Sequence, residues 1–161
     1  MTRLSRDHWA MGLAMVTARR STCLRRSVGC VLLNRRGQVI ATGFNGVAKG
    51  LPHCNEGIGV VSVTPYYPHA CPGATSPSGT NLDGCGAIHA EQNAIMQCGD
   101  VEAIDTAYVT ASPCLTCTKL LMNTGCRHIR YLEEYPHSSA ATMWLAVPGN
   151  TWEQVEMRDA L

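Results

Sequence analysis

His89-Ala90-Glu91, read together with Pro113-Cys114-Leu115-Thr116-Cys117, decides the fold of this chain. The two stretches supply one imidazole and two thiolates, three ligands of the kind zinc takes. They leave a fourth tetrahedral position for water, which marks a catalytic rather than a structural site. Cys114 and Cys117 stand at i and i+3, so on a helix both sulfurs reach one metal. Pro113 fits the first helical position, which puts Cys114 in a first turn where the helix end favours thiolate charge. His89 opens the preceding helix. Two residues apart, His89 and Glu91 would diverge in mid-helix, but in a first turn one can ligate a metal that the other overhangs. A redox C-x-x-C pair and a satisfied core histidine are the simple readings of each half alone, and finding both halves in this order argues against them.

Outward from the motif, the chain alternates between helical and strand patterns. Ser5 to about Arg20 predicts a helix, capped by Ser5 and with Trp9, Leu13 and Val16 at i, i+4 and i+7 as its apolar stripe. Val28–Leu33 and Val39–Phe44 predict strands joined by the turn Asn34-Arg35-Arg36-Gly37. Helices over Ala90–Cys98 and Cys114–Asn123 precede the short strands Thr106–Thr110 and His128–Leu132, and Gly125 suits the position just past the second helix. Ser138–Leu145 predicts a last helix and Thr151–Glu156 an edge strand. A hairpin followed by β-α-β crossovers implies a mixed α/β sheet with helices on both faces.

The 161 residues suit a single domain (1–161) with a real core. Apolar content of 45% and charged content of 16% fit a compact soluble protein. No run approaches the ~18 apolar residues of a membrane span, and the segment from Met1 to His8 has no secretory apolar stretch. The expectation is a cytoplasmic protein without membrane partners. A net charge of +1 gives no signature for binding a polyanion. Arg19, Arg20, Arg25 and Arg26 fall within eight positions, which reads either as a solvated helix end and loop or as a phosphate site for a nucleotide.

Nine cysteines without an export signal point to metal rather than disulfides. Cys30, Cys98 and Cys126 read as small buried hydrophobes. The insert from about residue 47 to 88 is rich in Pro and Gly and holds His53, Cys54, His69, Cys71 and Cys85. So long an irregular stretch is functional or is held by something other than a core, and a second metal clipping it would meet that need.

H-x-E…P-C-x-x-C is the signature of zinc deaminases that act on nucleobases. His89–Ile95 and Ser112–Cys117, with Arg20-Ser21-Thr22-Cys23-Leu24-Arg25-Arg26-Ser27-Val28-Gly29 and Thr42-Gly43-Phe44-Asn45-Gly46, resemble the deoxycytidylate (dCMP) deaminases. The resemblance runs from about Asp7 to Tyr135. It implies a three-layer α/β/α fold around a mixed sheet of about five strands. It implies hydrolysis of dCMP to dUMP and ammonia by a zinc-activated water, with Glu91 as the catalytic proton shuttle and His89, Cys114 and Cys117 as zinc ligands. It also implies oligomers, often hexamers, activated by dCTP and inhibited by dTTP, with Mg2+ accompanying the triphosphate. Asn45 matches the residue that holds the sugar, and Asn45-Gly46 equally reads as a simple turn. The Ala90 backbone and the Ser112 carbonyl would read the cytosine edge. Tyr135 matches a tyrosine near the substrate, or is a half-buried strand-end aromatic. Arg25, Arg26, Gly43, Gly46 and Lys49 are candidates for the allosteric nucleotide. Cys23 and Cys54 match ligands of a second, structural zinc, with Cys85 as third ligand and Cys71, His69 or His53 as fourth. A family glutamate position reads as Ala87, so that ligand set does not carry over whole.

Two other functions compete. A tRNA adenosine deaminase or other nucleic-acid base deaminase needs a basic groove and aromatic platforms, and the charge of +1 with 6% aromatics argues against it. A free-cytidine deaminase has a Cys-x-Glu zinc motif, where the motif of this chain reads His89-Ala90-Glu91. A non-catalytic zinc-stabilised nucleotide-binding module needs no Glu91.

Overall fold

The computed structural model describes residues 3–54, 76–77, 80, 85–135 and 138–157. Most of the insert, with His69 and Cys71, lies outside the described residues. In chain order the elements are α1 (Arg6–Ala18), β1 (Gly29–Leu33), β2 (Val39–Phe44), β3 (Gly46–Val47), β4 (Ala87–Ile88), α2 (Ala90–Gln97), β5 (Thr106–Ala111), α3 (Leu115–Met122), β6 (His128–Glu133), α4 (Ser138–Leu145) and β7 (Thr151–Gln154). The expected mixed sheet is present, with strand order β2-β1-β5-β6-β7. β1 is antiparallel to β2 and β5, while β5, β6 and β7 run parallel. β7 is the edge strand foreseen. Among the described residues, no helix is long and apolar enough to cross a membrane.

Strand alternation sends side chains to two cores. Val31, Leu33 and Tyr108 face α1 and pack with Ala10, Met11 and Ala14. Cys30, Leu32, Ala107 and Val109 face the other way and pack with Ala90, Ala94, Leu121 and Trp144 of α2, α3 and α4. Helices therefore cover both faces. Cys30 and Cys126 are buried and Cys98 is packed at the margin of the larger core, as small hydrophobes should be.

The stripe expected for α1 is corrected. Trp9 and Val16 are exposed, and the helix buries Ala10, Met11, Ala14 and Ala18 instead. The reason lies in β1: a Cβ on Gly29 would come within 2.0 Å of the Ala14 carbonyl oxygen. The helix rides so close to the strand that small side chains make its inner face. Ser5 caps α1 as expected, accepting a hydrogen bond from the His8 amide at 3.1 Å.

Two further expectations shift. Gly125 is not a left-handed helix terminator, since the left-handed glycines among those described are Gly37, Gly50 and Gly149. Its small size is required because a Cβ there would meet the Glu102 carbonyl oxygen at 2.0 Å. Pro113 precedes α3 rather than opening it, and Cys114 is the cap residue. The β1–β2 turn behaves as its residues dictate: Gly37 has φ of 75° and donates to the Asn34 carbonyl at 2.8 Å.

A short ladder went unforeseen. β3 and β4 pair antiparallel, Gly46 with Ile88 and Val47 with Ala87. The two ends of the insert are thus pinned together, and Asn45 is brought beside His89.

Candidate active site

At one end of the strands, the start of β1, the end of β2 and the ends of β5 and β6 meet the N-termini of α2 and α3. Ligand sites of open α/β sheets form at such strand ends. A pocket there is lined by Val28, Asn45, Ala90, Glu91, Ala111, Ser112 and Tyr135, with His89 and Cys114 on its wall and Arg25, Arg26, Cys23, Cys85 and Ala87 completing it.

The helix starts position the ligands. His89 is the cap residue of α2, its backbone N–H donating to Gln92 Oε1 at 2.8 Å. Cys114 is the cap residue of α3, behind the fully buried Pro113. His89 Nδ1 lies 3.5 Å from Cys114 Sγ and 3.4 Å from Cys117 Sγ. The three ligand atoms lie within 4.8 Å of one another, and among the described residues no other His, Cys, Asp or Glu joins the group. One nitrogen and two sulfur donors, preorganised and open on the pocket side, fit zinc.

The electrostatics agree with that fit. In the metal-free chain, the Cys114 thiol is held down to about 4, first by the hydrogen bond from Cys117 and then by His89. Cys117 is pushed up because it gives that bond to a neighbouring thiolate and is buried. His89 is raised, chiefly by its hydrogen bond with Cys114. One thiolate forms readily and the second needs a cation to form, which a divalent metal provides. Burial lifts the Glu91 carboxyl from 4.5 to about 7, against the pull of its hydrogen bonds and of His89. Glu91 is only 4% exposed. A carboxyl able to hold or release a proton near neutrality therefore faces the pocket beside the ligand set.

The other predicted residues divide by place. Asn45 is buried and braces the rim: its Oδ1 accepts from the Val28 amide at 2.8 Å and its Nδ2 donates to the Arg26 carbonyl at 2.7 Å. Ser112 Oγ accepts from the Tyr135 amide at 2.7 Å. Arg25 and Arg26, read from sequence as allosteric candidates, both line this pocket. Arg25 Nη1 donates to the Thr80 carbonyl at 3.0 Å. Gly43, Gly46 and Lys49 do not line it. Gly43 instead lets β2 approach α2, since a Cβ there would lie 2.3 Å from the Ala90 carbonyl oxygen. Cys23 and Cys85 reach the pocket and Cys54 is buried, but among the described residues these three do not gather into a ligand set as His89, Cys114 and Cys117 do. His53 Nδ1 lies 3.1 Å from Thr22 Oγ1, which draws the segment of Cys54 toward that of Cys23. Of the three expected alternatives for the fourth ligand, Cys71 and His69 lie outside the described residues.

Sequence reasoning missed Glu133, whose Oε2 pairs with Arg26 Nη2 at 2.6 Å. The two positions are 107 apart, and no local pattern links them. It also missed Asn93, whose Nδ2 donates to the Phe44 carbonyl at 2.8 Å and ties α2 to the end of β2.

Residues 4–133 match the family model described as the cytidine and deoxycytidylate deaminase zinc-binding region. The deoxycytidylate deaminase of Schizosaccharomyces pombe is 36% identical over 151 residues, covering 91% of this chain and 43% of that protein. The deoxycytidylate deaminase of Mycobacterium phage D29 is 34% identical over 135 residues, covering 83% of this chain and 99% of that protein. The chain thus spans about two fifths of the fission-yeast relative and nearly all of the phage relative. The solved dCMP deaminase of cyanophage S-TIM5, in complex with dCMP and dUMP, shares the fold with a TM-score of 0.67 at 22% identity, covering 96% of this chain and 100% of that one.

Proposed function

The chain belongs to the cytidine and deoxycytidylate deaminase family, and from that premise we propose that it hydrolyses dCMP to dUMP and ammonia. One observation carries the reading. The buried Glu91 and the His89–Cys114–Cys117 set share a pocket with two arginines, Arg25 and Arg26. A base-deaminating centre and a receptor for one phosphate thus sit in one cavity, and no long basic groove is needed.

His89, Cys114 and Cys117 would hold a zinc ion, which would supply a water acidified to about pKa 7. Glu91 takes the proton released as the water oxygen bonds to C4 of cytosine, and delivers it to N3. The same carboxyl then moves the hydroxyl proton to the amino group. The C4–N bond breaks, ammonia leaves and the uracil carbonyl remains. The Ala90 N–H, at a helix start where it lacks an intrahelical acceptor, and the Ser112 carbonyl read the pyrimidine edge. Asn45 and Tyr135 border the sugar, and Arg25 and Arg26 receive the 5′-phosphate. Burial of Glu91 keeps competing water away from its proton transfers.

In the same reading Cys23, Cys54 and Cys85, with Cys71, His69 or His53 as fourth ligand, would hold a second zinc that staples the insert. The His53–Thr22 contact supports it, and metal analysis should find two zinc ions per chain. Regulation by dCTP and dTTP with Mg2+ belongs to the Gly43, Gly46 and Lys49 side of β2 and β3, within a homo-oligomer. A shift of the dCMP saturation curve by dCTP and a sizing measurement test these points.

The central test is a substrate panel with ammonia as readout: dCMP, cytidine, dCTP and an adenosine-containing RNA hairpin. dCMP should be turned over far faster than the rest. Equal turnover of cytidine would remove the phosphate from the reading, and turnover of the hairpin alone would move the chain to nucleic-acid substrates.

A further inference from the structure

Arg26 lines the pocket, yet its guanidinium already holds an anion. Its Nη2 stands 2.6 Å from Glu133 Oε2, and its guanidinium lies 5.5 Å from the Tyr135 ring centroid, over the ring face. The two partners differ in freedom. Arg26 is held: Asn45 bonds its carbonyl, the aromatic ring supports its head, and its side chain is 28% exposed. Glu133 is fixed through its backbone, beside Ala111 in the ladder and accepting the Ser112 amide at 2.9 Å. Its side chain is 65% exposed. A rotamer change moves the Glu133 carboxylate into water and leaves both backbone and arginine where they are.

We infer that Glu133 is an anionic placeholder, its carboxylate occupying the face of Arg26 that the phosphate of a bound nucleoside monophosphate takes. This rests on the reading of Arg26 as a phosphate receptor. Ligand binding then exchanges one anion for another. A phosphate monoester carries a charge of about −1.5 to −2 and three acceptor oxygens against one negative charge on the carboxylate. An exposed ion pair resists displacement by only about two- to five-fold. The exchange keeps the guanidinium paired with or without ligand. A neutral nucleoside brings nothing to displace Glu133, so the exchange moderates the affinity for the monophosphate and leaves that for the nucleoside unchanged.

The test compares the parent chain with Glu133→Gln, each in its metal-bound form, by calorimetric titration with dUMP and with deoxyuridine. The substituted side chain is exposed and keeps its shape, and circular dichroism checks the fold. dUMP should bind about two- to five-fold more tightly to the variant, with deoxyuridine unchanged. Weaker dUMP binding would make Glu133 a positioning residue for Arg26 and overturn the inference, as would unchanged binding or none to either protein. Tighter dUMP binding in a chain that does not turn over dCMP would sink the proposed reaction alone. Turnover of dCMP with unchanged dUMP affinity would sink the placeholder alone.

Discussion

Glu91 is the residue on which chemistry and stability pull in opposite directions. Its carboxyl is buried beside a thiolate and held near 7 by desolvation. Glu91→Gln keeps the shape and removes the proton carrier. Turnover should fall by roughly 10²- to 10⁴-fold while zinc content, read by metal analysis, stays at the parent level. Retained activity would place the proton transfers elsewhere. The metal-free chain gives a second readout with a definite sign. The folded pKa lies above the unfolded one, so the folded state binds more protons between about 4.5 and 7. Stability conferred by the protonated carboxyl is complete below pH 4.5 and is lost as pH rises through 7. In urea titrations of chelator-treated protein, Glu91→Gln should therefore exceed the parent at pH 8 by about 1–3 kcal/mol, and the gap should close toward pH 4.5. Asn45 behaves differently, because its amide satisfies the Val28 N–H and the Arg26 carbonyl. Asn45→Ala should cost about 1–3 kcal/mol of stability as well as raising KM for dCMP. A raised KM with unchanged stability would show that water replaces both bonds.

The elements are placed by glycines more than by large side chains. β1 meets α1 at Gly29, and β2 meets α2 at Gly43, where an added Cβ would lie 2.3 Å from the Ala90 carbonyl oxygen and 2.4 Å from the Ala94 nitrogen. Both neighbours are backbone, so neither can turn aside. Gly43→Ala must push α2 outward, and α2 carries His89 and Glu91 at its start. The expected result is a loss of about 1–3 kcal/mol or more in thermal or urea unfolding, with weakened zinc retention in a chelator competition. A variant that unfolds earlier yet holds zinc as the parent does would uncouple the strand contact from the site. These contacts also explain what could be read along the chain and what could not. The five strands of the main sheet, the turn at Gly37 and the start of α2 are legible because each is written in a few neighbouring residues. The inner face of α1 was misread because hydropathy favours Trp9 and Val16, while the space above Gly29 admits Ala14. Gly125 was read as a helix end because the backbone it must clear, at Glu102, is known only once the chain has folded. Glu133 and Arg26 meet for the same reason.

Across the whole molecule the candidate metal site joins parts that otherwise lean on different neighbours. α2 packs mainly on β1 and β2, and α3 mainly on α4. His89 comes from the first of these helices, Cys114 and Cys117 from the second. Without a cation the second thiol of that set does not ionise readily, and the donors hold each other by weak hydrogen bonds alone. A divalent metal converts them into a clamp between the two halves of the larger core, so metal binding is coupled to folding. This coupling could be foreseen from the motif, because the ligand residues sit at helix starts. The pairing of β3 with β4 could not be foreseen in that way, since a two-residue ladder is too short to be signalled by any periodicity. Chelation should abolish turnover and lower the thermal midpoint. If free zinc stands about 100-fold above its dissociation constant, the linkage is about 2.7 kcal/mol. For a domain of this size that is a shift of roughly 5–10 °C. Added zinc should restore both, and Cys114→Ser should erase most of the zinc-dependent part of the shift. An unchanged midpoint on chelation, with activity lost, would mean that the metal serves chemistry without tying α2 to α3.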